Sequence, residues 1–261
     1  MYPHHRESIR NLVRYFRGQE GVLALILGGS VARDQAREDS DLDAMVVVTS
    51  QRLRELERGH RLAECVFDEC TYPGGYFDVK YGDIAYLEAA ADRGSEPTRH
   101  AFLGARCLFS LDGRIPALLE RIPCFQREEK ADKMLSFYSA VTWNAGYLWQ
   151  SSAGAPYLRT RATADLVLFG LRLVLEDREI LFPCHKDLLP AVRRLPDGEE
   201  LAQAAERLLA EPDDQKKDAF VRKVLEAVVY DPPQDYAEVL TRFIRDNEQW
   251  WLLNRPPIAE W

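Results

Sequence analysis

The 261-residue sequence predicts an α/β (α+β) first domain, residues 1–125, followed by an all-α C-terminal helical bundle domain, residues 126–261. Three observations carry this. Val22–Leu27 and Leu42–Thr49 are short, almost unbroken apolar runs, the pattern of strands buried on both faces. After Pro123 such runs stop, and helical-period segments follow one another. The breakers between them are Gly154-Ala155-Pro156, Pro196-Asp197-Gly198, Pro212 and Pro232-Pro233. The length suits two modest domains, each with its own core.

The elements of the first half read in order. Residues 4–18 predict a helix, with Ile9, Leu12, Val13 and Phe16 at helical spacing. The strand 22–27 ends in two glycines, and residues 31–38 read as a short helix before the strand 42–49. Residues 52–65 predict a helix with an exposed charged face. Val66–Thr71 and Tyr76–Tyr81 flank Tyr72-Pro73-Gly74-Gly75, a hairpin signal. A helix at 83–93, a strand at 105–109 and a helix ending near Arg121 complete the half. In the second half, helices are predicted at 128–152, 160–178, 186–195, 198–211, 213–230 and 235–253.

The formal net charge is −8, and no lysine/arginine cluster stands out, which argues against a nucleic-acid partner and suits a cationic small molecule. The five cysteines form no CxxC pair, so reduced thiols fit better than zinc or a disulfide framework. No run of 18 apolar residues occurs, and residues 1–17 lack a secretory apolar stretch, so the expectation is a cytoplasmic protein without a membrane span. Tryptophans near the C-terminus suit a homodimer contact, with the oligomeric state left open.

Two motifs carry chemistry. Gly28 and Gly29 let the backbone approach a bulky anion, and Ser30 is expected to cap the following helix and offer a hydroxyl. Free amides at that helix start complete a phosphate cradle, and Arg33 lies in its first turn. Ten residues after Ser30 come Asp41 and Asp43, two apart at a strand start and therefore on one face. Side-by-side carboxylates repel unless a cation is present, and magnesium takes carboxylate oxygens together with substrate phosphates.

Leu27-Gly28-Gly29-Ser30 followed by Asp41-Leu42-Asp43 and an apolar strand resembles the DNA polymerase β-type nucleotidyltransferase superfamily. Within it, the pattern is most similar to small bacterial aminoglycoside, lincosamide and minimal nucleotidyltransferases. Gly29-Ser30-Val31-Ala32-Arg33 matches their Gly-Ser-x-x-Arg turn, with Asp34 where a glycine commonly follows the arginine. The resemblance implies a mixed β-sheet, ATP as nucleotide donor and two Mg²⁺ ions. It also implies a third carboxylate on a neighbouring strand, for which Asp78 is preferred over Asp68, Glu69 and Asp83. Asp41, Asp43 and Asp78 would then be catalytic and metal-binding, and Gly28, Gly29, Ser30 and Arg33 nucleotide-binding. Lys186, opening a helix in the second half, is the candidate lysine toward the phosphates.

The function expected is Mg²⁺-dependent transfer of a nucleoside monophosphate to a hydroxyl of a small-molecule acceptor, with an acceptor pocket between the domains. The alternatives are transfer to a protein or tRNA end, and a nucleotide-binding regulatory module without turnover. The stripe Tyr138, Trp143, Asn144, Tyr147 and Trp149 reads as core or domain interface rather than a substrate platform.

Overall fold

The computed structural model describes residues 1–261, which divide into two compact units. The first comprises Met1–Gly94 and Thr98–Cys124, and the second Ser95–Pro97 and Phe125–Trp261.

In chain order the first unit holds α1 (Pro3–Phe16), β1 (Val22–Leu27), α2 (Gly29–Ala32), β2 (Leu42–Val48) and α3 (Ser50–Arg58). Then come β3 (Ala63–Val66), β4 (Phe77–Gly82), α4 (Ile84–Arg93), α5 (Glu96–Ala101, which begins in the second unit), β5 (Arg106–Ser110) and α6 (Ile115–Arg121). The strands form one mixed sheet in the order β3-β4-β2-β1-β5. Only β2 and β4 run parallel; the other neighbours are antiparallel. Both sheet faces are covered. Leu25 and Leu27 of β1 and Val46 and Val48 of β2 meet Ile9, Leu12 and Phe16 of α1. Ala24, Ile26 and Val47 point the other way, against Ile84 and Leu87 of α4 and Leu118 of α6. This two-sided burial is why β1 and β2 are apolar almost throughout.

Local signals set the helix starts. Thr49 caps α3, accepting the Arg52 N–H at 3.2 Å, and Asp83 caps α4, accepting the Tyr86 N–H at 2.9 Å. Three sequence expectations need correction. The 52–65 helix stops at Arg58, and Ala63–Val66 pairs with β4 instead. The hairpin partner is therefore that segment, with Val66 opposite Phe77, and residues 67–71 belong to the connecting loop. The 31–38 helix ends at Ala32, because Asp34 takes a left-handed conformation that an α-helix cannot continue. Helix α5 was not anticipated; at six residues with Pro97 second, it is too short to display a period.

The second unit is helical: α7 (Arg127–Trp143), a π-helical turn at Asn144–Leu148, α8 (Trp149–Ser151), α9 (Pro156–Asp177), α10 (Leu188–Arg193), α11 (Gly198–Ala210), α12 (Asp214–Glu226) and α13 (Tyr236–Phe243). A second π-helical turn, Ile244–Glu248, follows α13. Helix α9 is buried nearly all round and forms the centre of this core with Phe137 of α7 and Phe220 of α12. Gly170 lets Phe220 approach it; a Cβ there would lie 2.9 Å from that ring. In the aromatic stripe, Trp149 is buried and donates its indole N–H to Asp214 at 2.6 Å, whereas Tyr147 is exposed.

Charge is buried here too. Glu96 accepts Lys133 Nζ at 2.9 Å and the Phe182 N–H at 2.9 Å, with Arg172 Nη2 3.4 Å away. Burial opposes ionisation of Glu96, but the Arg172 and Lys133 charges prevail and hold its carboxyl below the usual range. Glu176 is the converse: burial, then the Glu96 charge, push its carboxyl up to about 9. An unfolded Glu176 releases its proton near its ordinary value of 4.5, so between these values unfolding releases a proton and stability falls as pH rises. Glu176→Gln cannot ionise, so its stability relative to wild type should climb steadily between pH 5 and pH 9. Urea denaturation across that range checks this, and a pH-independent difference would contradict it.

Candidate active site

The turn after β1 is shaped by the strand beside it. The Gly28 N–H donates to the Asp43 carbonyl at 2.9 Å, fastening the turn to β2. Gly29 has φ of 65°, and a Cβ at that position would lie 1.7 Å from Asp43 Oδ2. Glycine is therefore required twice over, by conformation and by the carboxylate in its place. Gly28, not Ser30, is the capping residue of α2. Ser30 sits within the first turn and is only half-buried, so the expected cap is corrected. Arg33 lays its stem against Gly104 and makes no ion pair through its guanidinium.

Asp34 explains itself in this geometry. Its φ of 58° is the left-handed conformation that glycine adopts most readily and aspartate tolerates. Arg106 Nη2 lies 2.7 Å from its carboxylate, and that hydrogen bond holds the carboxyl below the usual range. The loop thus keeps a glycine-like course with aspartate in it.

The acidic residues are aligned by strand register. Asp43 shares a face of β2 with Met45 and Val47, and Asp41 lies two residues before Asp43 at the strand entry. On β4, Phe77 and Val79 point into the core, so Tyr76, Asp78 and Lys80 line the opposite face. In the parallel pairing Asp43 lies level with Asp78. Tyr76 donates its hydroxyl to Asp41 Oδ2 at 3.2 Å, and its carbonyl accepts the Leu42 N–H at 3.1 Å. Lys80 Nζ stands 3.4 Å from Asp78 Oδ2. The Asp41 charge, first by its field and then through this hydrogen bond, pushes the Tyr76 phenol above its ordinary range.

The competing acids occupy other positions. Asp83 is buried as the α4 cap and also accepts the Ser50 hydroxyl at 2.6 Å. Asp68 and Glu69 lie in the loop between β3 and β4. Lys186 belongs to the helical unit, exposed on a 3-10 turn at His185–Asp187.

No three acidic, histidine or cysteine side chains are drawn together into a group that closes on an ion. Like charges on neighbouring strands repel, and here Asp41 and Asp78 turn to Tyr76 and Lys80. The donor set nevertheless fits Mg²⁺. All the donors are hard carboxylate oxygens, Gly29 leaves a cradle for the Asp43 carboxylate, and Mg²⁺ normally completes its shell with phosphates and water.

Residues 9–73 match the family model of the nucleotidyltransferase domain. That matched segment is where the chain is similar to a nucleotidyltransferase domain. The match spans the Gly28–Ser30 turn, Arg33, Asp41 and Asp43, and stops short of Tyr76, Asp78 and Lys80. Among solved structures, a nucleotidyltransferase-like protein from Exiguobacterium sibiricum 255-15 aligns with a TM-score of 0.48 and 11% identity, over 97% of this chain and 81% of that one. No curated protein matches. Within the matched segment, the Gly28–Ser30 turn and the two acids belong to one local structure.

Gly29→Ala would drive a methyl group onto Asp43 and strain a left-handed backbone by roughly 1–2 kcal/mol. The variant should remain folded by circular dichroism and lose at least about a hundredfold in nucleotidyl transfer, the scale expected when a catalytic group is misplaced by an ångström. A rate near that of the wild type would contradict the close approach.

Proposed function

We propose that this protein is a nucleotidyltransferase that moves a nucleoside monophosphate, AMP from ATP, to a hydroxyl of a small-molecule acceptor of the aminoglycoside-like or metabolite kind, releasing pyrophosphate. The observation that carries the reading is the level pairing of Asp43 and Asp78 on parallel strands, with Asp41 two residues away and the Gly28–Ser30 turn bonded to the same strand. An anion cradle joined to a carboxylate row matches the needs of a Mg-nucleotide substrate.

Asp41, Asp43 and Asp78 would hold Mg²⁺. When bound, the metal supplies charge neutralisation on the triphosphate and the departing pyrophosphate. The first amides of α2 lack intrahelical carbonyl partners and donate to phosphate oxygens, joined by the Ser30 hydroxyl. Arg33, whose guanidinium is unpaired, supplies a cation to the same phosphates. Asp78 accepts the proton of the acceptor hydroxyl as its oxygen attacks the α-phosphorus and the bond to the pyrophosphate oxygen breaks. Lys80 Nζ, 3.4 Å from Asp78 Oδ2, places a cation beside that carboxylate. Rate enhancement on this account comes from positioning and charge compensation, with no covalent enzyme intermediate.

Acceptor recognition is assigned to the helical unit, which exposes Tyr147, Tyr157 and Trp251. Amphipathic aromatic residues of this kind suit stacking on sugar or heteroaromatic rings. The acidic net charge favours a cationic acceptor and argues against a polyanionic one.

Asp41→Ala and Asp43→Ala should each abolish Mg²⁺-dependent pyrophosphate release while the protein stays folded. Asp78→Asn should lose most of it. The test is a screen of nucleotides and hydroxyl acceptors with wild-type protein, followed by the three variants on the best pair. Undiminished turnover in both alanine variants would overturn the assignment, and a near-normal Asp78→Asn rate would move the third carboxylate elsewhere.

A further inference from the structure

We propose that Tyr76 is a positioning residue that presents Asp41 to the metal. The inference rests on the metal-binding reading of the acidic row. Tyr76 immediately precedes β4 on the same face as Asp78 and Lys80, and it is tied twice to the segment entering β2. Its carbonyl accepts the Leu42 N–H at 3.1 Å, which fixes the backbone level of Asp41. Its hydroxyl donates to Asp41 Oδ2 at 3.2 Å. The Tyr76 ring is braced by Phe67, with centroids 5.7 Å apart.

The physical consequence is directional. A carboxylate without a partner rotates and offers either oxygen, or both, to a cation. With Oδ2 engaged by a neutral donor, Asp41 offers Oδ1 to the metal in a fixed orientation, and its charge remains intact. Partners of this kind commonly alter metal affinity by about 10–100-fold when removed. Tyr72 provides a contrast: it lies within the field of the Asp41 charge, but its hydroxyl donates to the Ser40 carbonyl at 2.7 Å instead of to that carboxylate. Tyr72 thus holds the loop, while Tyr76 holds the ligand.

The test uses Mn²⁺ with inorganic tripolyphosphate, which supplies phosphate oxygens without a choice of nucleobase. Binding to the full chain is followed by water-proton relaxation enhancement, and chemical denaturation is run in parallel. Tyr76→Phe deletes one oxygen and keeps the ring against Phe67, so folding should be retained. It should weaken Mn²⁺ binding by about tenfold or more. Tyr72→Phe should weaken it by much less, and Asp41→Asn should remove it. Unchanged affinity in Tyr76→Phe, with binding lost in Asp41→Asn, would overturn the role of Tyr76 and leave the metal reading standing. Equal losses in the two tyrosine variants would also overturn it, by showing that loop support rather than the bond to Asp41 is what matters. Undiminished binding in Asp41→Asn would refute the metal reading itself, and the inference with it.

Discussion

Parallel pairing of β2 with β4 puts the Asp43 and Asp78 side chains level on one face of the sheet, and most of the site follows from that constraint. Neighbouring strands stand about 4.8 Å apart, so the register alone brings these two acidic side chains close together. Local contacts accompany this proximity: Lys80 pairs with Asp78, Tyr76 bonds Asp41, and Gly29 gives Asp43 the space a side chain would deny. A divalent ion on the same face reverses the sign of the problem and makes the proximity favourable.

The fold serves this arrangement by burying the strands on both faces. β1 and β2 are sandwiched between α1 on one face and α4 and α6 on the other, so a slip of one residue would turn Asp41 and Asp43 toward the core. The Gly28–Asp43 backbone bond then fixes the Gly28–Ser30 turn to the acidic strand itself. In the helical unit the order is inverted: charge is placed inside. Glu96 is compensated by Lys133 and Arg172, while burial and the Glu96 charge push the Glu176 carboxyl well above the usual carboxylate range.

The sequence was most legible where burial was two-sided. Val22–Leu27 matches β1 at both ends, since an apolar run closed by two glycines leaves one reading. The mixed sheet and the helical second half hold as well. Local pattern failed where pairing decided the outcome: Ala63–Val66 is polar enough to extend a helix, and becomes strand only because β4 offers an edge. Ser30 misled because Gly28, two residues before it, takes the capping role. Tyr76 was legible in principle, two residues before Asp78 and therefore on its face, but its bond to Asp41 depends on the register of a parallel pair, which single-strand alternation does not supply.

The central claim is that the acidic row holds a divalent metal against a triphosphate. Its most direct measurement is anomalous scattering from crystals grown with Mn²⁺ and a non-hydrolysable nucleoside triphosphate. The account predicts a manganese peak about 2.0–2.3 Å from carboxylate oxygens of Asp41 and Asp43, with phosphate oxygens completing the shell beside the Gly28–Ser30 turn. A nucleotide bound without metal at Asp41 and Asp43, or manganese ordered only at other acids, would contradict it.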